Sequence, residues 1–140
     1  AAASGRDLVR GAIPGLVDGS CTRIDQKTLG PSTYFGGRKP ADSRLDFAMT
    51  TSEAFNQIRA VADPWPNAFL ETPLGTVKVA WALPSAEPCP PGRHRLTQEG
   101  VLLGFSDGAL RLHTLKVRGL RVERPTDQAA ALRDLGLAEA

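Results

Sequence analysis

The segment Val101–Val117, reading V-L-L-G-F-S-D-G-A-L-R-L-H-T-L-K-V, decides the fold class. Val101, Leu103 and Phe105 alternate with the residues between them, the period of a strand with one face turned inward. Asp107-Gly108 stands between two apolar runs, a strong short-range hairpin signal because both turn positions favour positive φ. Leu110 and Leu112 open the return strand, whereas Leu115 and Val117 fall on the opposite parity. One extra residue restores a common face, so a bulge is expected near Thr114.

The same period extends outward. Val77, Val79 and Trp81 alternate with Lys78 and Ala80, Arg93–Thr97 reads as a short strand, and Leu120 and Val122 suggest one more. Pro84–Gly92 holds four prolines and reads as loop. A helix closes the chain over residues 126–135, capped by Thr126 and ended by Gly136 in the left-handed conformation. Five or six short strands with little helix predict a mainly β fold with flanking helices. The expected form is a small, partly open barrel resembling an oligonucleotide-binding (OB) fold.

Upstream the pattern is helical. Thr50 and Glu53 form a capping-box pair at the start of a helix over 50–62, with Phe55, Ile58 and Ala62 on one stripe. That helix stops at Asp63-Pro64-Trp65-Pro66, where two prolines fix φ and remove two donors. Trp65, held between them, is expected to bury its ring as a plug for the core. Residues 20–47 show no period and read as an extended connector, anchored by Tyr34, Phe35, Leu45 and Phe47. Leu8, Val9, Ala12, Ile13, Leu16 and Val17 make a helical stripe within residues 1–19. Ser4 is its expected N-cap and Gly19 its stop, while Pro14 is expected to kink the helix or start a second short one. No following helix can pair with that stripe, so it is expected to face a domain that this chain lacks. The organisation expected is thus a terminal helix (1–19), a linker (20–47) and a barrel domain (48–140).

Composition narrows the function. No apolar run approaches the ~20 residues needed to span a bilayer, and the start lacks a signal-peptide pattern. Cys21 and Cys89 have no C-x-x-C partner, so neither zinc nor redox chemistry is indicated and a reduced, cytoplasmic setting is expected. Residues 76–124 carry eight basic against four acidic side chains, a modest excess for a nucleic-acid footprint. Of the strand aromatics, Trp81 and Phe105 match the core parity, leaving few platforms for base stacking. Only His94 and His113 offer imidazoles, and no nucleophile elbow is present. Gly36-Gly37-Arg38-Lys39 is too short for a phosphate cradle. No catalytic, cofactor-binding or metal-ligating residue is assigned, and the residues describe an accessory domain.

Three further stretches carry a resemblance. They are Tyr34-Phe35-Gly36-Gly37-Arg38-Lys39-Pro40-Ala41-Asp42-Ser43 with Leu45-Asp46-Phe47, then Asn56-x-Ile58-Arg59-Ala60, then Asp63-Pro64-Trp65-Pro66-Asn67-Ala68-Phe69. Together they resemble the carboxy-terminal portion of the tetrahydrofolate-dependent formyltransferases. Arg59–Pro66 and Asp107–Leu110 look closest to the UDP-4-amino-4-deoxy-L-arabinose formyltransferases of lipid A modification and polymyxin resistance. The methionyl-tRNA formyltransferases are similar to a lesser degree.

The resemblance implies an amino-terminal Rossmann-like catalytic domain that binds 10-formyltetrahydrofolate and carries an Asn–His–Asp set, with residues 1–19 as its last helix, joined through a linker to an OB-like domain. No histidine precedes His94, so no catalytic residue carries over and the chain alone is expected to be inactive. Its expected partners are that catalytic domain and other copies in an oligomer, with no membrane insertion. Nucleic acid is a partner only if the domain binds tRNA, and an OB-like adaptor without catalysis is the remaining alternative. Arg38, Lys39, Arg59 and Trp65 are the candidate interdomain or substrate-contact positions.

Overall fold

A computed structural model describes residues 2–34 and 36–140; the anchor expected at Phe35 lies outside the described residues. The chain divides into two compact units, one ending at Gly37 and the other spanning Arg38–Ala140. The first holds helix α1 (Ala2–Asp18) and a 3-10 turn at Gln26–Leu29. Ser4 lies inside α1, so it is not the N-cap, and the helix continues through Pro14. Gly19 ends it at φ 78°, a conformation that costs a glycine little. Its apolar stripe is exposed, Leu8 at 74% and Leu16 at 68%. Tyr34, expected to anchor the connector, is 92% exposed.

The second unit is a curved, open sheet. Its strands are β1 (Ala68–Thr72), β2 (Gly75–Ser85), β3 (Arg93–Thr97), β4 (Gly100–Phe105), β5 (Gly108–Val117), β6 (Leu120–Val122) and β7 (Ala138–Glu139). They run in the order β1-β2-β5-β4-β3-β7, with β6 beside the far end of β5. All pairs are antiparallel except β3 with β7. Helix α2 (Thr51–Ala60) packs on β2 and β5, and helix α3 (Pro125–Asp134) on β3, β4 and β5. Ile58, Leu70, Val79, Leu103, Leu110 and Leu132 are fully or almost fully buried in the shared core. Each such side chain contributes about 1.5–3 kcal/mol relative to exposure. This is the mostly β half-barrel with flanking helices that the periodicity predicts.

Several local readings shift. The buried stripe of α2 is Ala54, Ile58 and Val61, with Phe55 half-buried against Trp81 and Ala62 at the margin. The irregularity expected at Thr114 is present, opposite Trp81, and it turns Ala80 and Ala82 inward while Trp81 is left half-buried. Pro84 belongs to β2, paired with Leu110. β1 pairs with β2 only as far as Val79, so no second strand needs the missing N–H of Pro84. Pro125 starts α3 as a first-turn proline, and Thr126 follows it inside the helix. Gly136 ends α3 at φ 83° as expected.

The hairpin turn between β4 and β5 is Ser106-Asp107, with Phe105 paired to Gly108, and neither turn residue has positive φ. Long-range hydrogen bonds hold it instead. The Ser106 N–H and hydroxyl donate to the Met49 carbonyl at 3.1 and 2.9 Å. The Asp107 carboxylate accepts from the Thr51 N–H and hydroxyl at 2.6 and 2.7 Å, which caps α2 from outside its own segment.

The proline-rich segment after β2 is not a free loop. Its strap Ala86–Pro91 crosses the outer face of β4 at Gly104, burying Cys89 with Leu102 and Ala109. Glu87 fastens it to Arg95 of β3 and Arg111 of β5 at 3.6 and 3.4 Å. β4 is consequently buried on both faces.

Candidate functional site

Three segments converge beside the Pro-Trp-Pro stretch. The first is Arg38–Ser43, whose final residues Pro40–Ser43 form a 3-10 turn. The Leu45 N–H donates to the Phe69 carbonyl at 2.7 Å, which lays this segment along the edge of β1. The second is the outward face of β1 and β2, where Phe69 stands directly opposite Lys78. The third is the reversal Val61–Asn67. Here the Asn67 N–H donates to the Val61 carbonyl at 3.0 Å and the Trp65 N–H to the Ala62 carbonyl at 3.0 Å. Asn67 takes φ 68°, a region an Asn side chain tolerates better than most, and the Asp63–Pro64 peptide is cis.

A polar network fixes that reversal to the sheet. The Asp63 carboxylate accepts from Lys116 Nζ, from Asn67 Nδ2 at 3.2 Å and from Arg121 Nη1 at 3.3 Å. Lys116 also donates to Asn67 Oδ1 at 2.8 Å, and Asn67 Nδ2 reaches the Val61 carbonyl at 3.3 Å. Lys116 and Arg121 face each other across β5 and β6, a repulsive pairing that the intervening carboxylate offsets. The Lys116 hydrogen bond, then that of Asn67, hold Asp63 below its ordinary carboxylate range.

With its flanks fixed, Trp65 projects outward and is 65% exposed. It is no plug for the core, because the short Pro-Trp-Pro segment turns its ring away from the side that Asn67 and Asp63 tie down. The ring forms one wall of a groove of about 720 Å³ that Arg38, Lys39, Lys78, Pro66 and Phe69 also line. Among the described residues, no acidic side chain lines it. Three of the four positions singled out in the sequence therefore meet here. Arg59 does not: its guanidinium lies 5.6 Å from the Phe55 ring centroid and donates to Asn56 Oδ1 at 3.0 Å. Lys78 escapes sequence reasoning, since an outward lysine on an alternating strand carries no signal beyond solvation.

Charge distribution singles out the groove. Residues 38–140 contain thirteen Lys and Arg and twelve Asp and Glu, a balance of +1. Seven of the thirteen cations lie within ion-pair distance of a carboxylate among the described residues. Arg38, Lys39, Arg59, Lys78, Arg93 and Arg118 do not, and three of these six line the groove. Exposed pairs add little stability, but they cancel local field. Half of the unpaired cations thus share one groove, with the Asp42 carboxylate nearby, accepting from the Lys39 N–H at 2.7 Å.

Among the described residues, the remaining reactive groups lie apart from the groove. His94 is fully buried, and burial pushes its pKa down. Cys89 is buried, which pushes its thiol pKa up and away from the reactive thiolate. His113 is exposed, and no cluster of three His, Cys, Asp or Glu suited to a metal occurs among the described residues.

Comparison with known proteins places the chain in a family. Residues 38–132 match the family described as formyl transferase, C-terminal domain. The chain is 33% identical over 120 residues to a methionyl-tRNA formyltransferase of Symbiobacterium thermophilum, covering 82% of this chain and 36% of that protein. Among solved structures, it is similar to HypX from Aquifex aeolicus, with a TM-score of 0.60 and 20% identity for one variant. For the HypX complex with tetrahydrofolic acid the values are 0.58 and 21%. The match covers 96% of this chain and about a quarter of HypX. The chain therefore spans about a third of the methionyl-tRNA formyltransferase and a quarter of HypX, and by its match over residues 38–132 it belongs to the formyl transferase C-terminal domain family.

Proposed function

We propose that the chain is the C-terminal part of a 10-formyltetrahydrofolate-dependent formyltransferase whose acceptor is the amine of a nucleotide-linked amino sugar. The acceptor is of the UDP-4-amino-4-deoxy-L-arabinose type, placing the enzyme in lipid A modification and polymyxin resistance. The observation that carries this choice is the charge layout. An extended polyanion such as tRNA is met by many cations along one face, and affinity grows with the number of phosphates neutralised. Here the balance is +1 over residues 38–140, and three of the six unpaired cations line one groove. The Arg59–Pro66 and Asp107–Leu110 stretches support the same branch of the family.

In this reading a cytoplasmic N-terminal Rossmann-like domain supplies the folate site and the catalytic Asn, His and Asp. The exposed stripe of α1 packs on that domain, and residues 38–140 hold it in place or join copies of the enzyme. Residues 1–140 alone transfer no formyl group. The test uses the full-length protein that carries this chain, supplied with 10-formyltetrahydrofolate and either the UDP-amino sugar or methionyl-tRNA. Formylation of the sugar and not of the tRNA is expected; the reverse preference sinks the acceptor assignment.

A second reading, a tRNA-binding domain, is favoured by the 33% identity to a methionyl-tRNA formyltransferase. It requires measurable tRNA affinity at low salt that falls steeply as salt rises. Absence of such binding by the 140-residue chain eliminates it.

A further inference from the structure

We propose that the groove of Arg38, Lys39, Lys78 and Trp65 is itself a binding site for a nucleoside diphosphate. Its volume of about 720 Å³ falls within the roughly 300–1,000 Å³ of small-molecule clefts, and its makeup follows their pattern of apolar walls with a few convergent polar groups. The apolar walls come from Pro40, Pro66 and Phe69, and the exposed Trp65 ring offers a face on which a base can stack. The cations come from two sides. Arg38 and Lys39 enter from the segment laid along β1, and Lys78 rises from β2 opposite Phe69. One Arg38 amino group donates to the Asp42 carbonyl at 3.0 Å, and Arg38 also lines a second pocket with Met49, Glu53, Asn56 and Gln57.

Charge complementarity names the ligand class. No carboxylate lines the groove and none of these three cations has an ion-pair partner among the described residues; the nearby Asp42 carboxylate is held by the Lys39 N–H at 2.7 Å. Two phosphates suit cations arriving from opposite sides, while the stacking face and apolar walls suit a base and ribose. The choice of a diphosphate, as carried by a nucleotide sugar, rests on the acceptor reading above; the groove and its charge do not.

Isothermal titration of the 140-residue chain at low salt tests the site, with UDP, uridine, inorganic pyrophosphate and a short uridine oligonucleotide as probes. UDP is expected to bind at least about tenfold more tightly than uridine or pyrophosphate. Lys78→Glu and Trp65→Ala, both at exposed positions, are each expected to weaken UDP at least about tenfold, the equivalent of 1.4 kcal/mol, with urea midpoints near that of the parent chain. Saturable UDP binding lost in both variants supports the site. Undetectable UDP binding, binding indifferent to both substitutions, or pyrophosphate binding as tight as UDP overturns it. An oligonucleotide that binds more tightly than UDP overturns it in favour of a strand-binding surface. A full-length enzyme that rejects the sugar nucleotide defeats only the acceptor reading, because UDP binding to this chain is measured without catalysis.

Discussion

Replacing Gly104 by alanine tests the strap that covers β4. A Cβ at this position would lie 1.9 Å from the Pro90 carbonyl oxygen and 2.5 Å from that of Cys89, against 3.4 Å or more for ordinary contact. Both obstacles are backbone, so no rotamer change relieves them. Either β4 retreats into a core with no room or the strap lifts. Lifting it breaks the Gly92 N–H to Gly104 carbonyl bond at 3.2 Å and the Arg93 N–H to Pro90 carbonyl bond at 3.1 Å. It also uncovers Cys89 and Leu102 and parts Glu87 from its two arginines. Overpacking of a filled core costs about 1–3 kcal/mol, and each lost hydrogen bond about 1 kcal/mol. A destabilisation of roughly 3–5 kcal/mol follows, a large fraction of the 5–15 kcal/mol that a domain usually has. Urea unfolding followed by tryptophan fluorescence measures it as a drop in midpoint at unchanged slope. Gly37→Ala serves as the control, since a Cβ there meets nothing within 4 Å. A Gly104→Ala protein within about 1 kcal/mol of the parent would refute the close crossing.

Acid stability should fall in two stages. His94 has a lowered folded pKa, so below its ordinary value of 6.5 the unfolded chain binds a proton that the folded chain refuses. The stability this group contributes is present above that pH and declines beneath it, and His94→Phe should flatten this first stage in urea midpoints measured against pH. Asp63, Asp107 and Glu53 are depressed from ordinary values of 3.8, 3.8 and 4.5, so their contribution is full above those values and disappears as pH drops through the lower folded ones. Thr50→Ala removes the acceptor for the Glu53 N–H and should cost about 1 kcal/mol in the same assay. Trp65→Ala should change stability by less than about 0.5 kcal/mol because the ring is exposed. Ile58→Ala, at a fully buried site, should cost about 2–5 kcal/mol, and equal losses for the two would restore the plug reading of Trp65.

The residues themselves determined whatever depends on near neighbours. The Thr50–Glu53 capping box, the alternation of Val101, Leu103 and Phe105, the Arg93–Thr97 strand, the irregularity at Thr114 and the stop at Gly136 are settled within a few positions, where propensity and period act. The Asp-Pro-Trp-Pro stop is local too, and so is the family likeness it carries. Only the tertiary structure decided where Trp65 points, because that depends on Asp63 meeting Lys116 and Arg121 more than fifty residues away. The same holds for Asp107 capping Thr51, which replaces the positive-φ turn that Asp-Gly advertised, and for the strap over Gly104. The candidate site is non-local in the same sense. Arg38 and Lys39 reach Lys78 only through the pairing of Leu45 with Phe69 and of Phe69 with Lys78. Chain closure across such separations is set by the packing of the whole sheet, and no window of the sequence contains it.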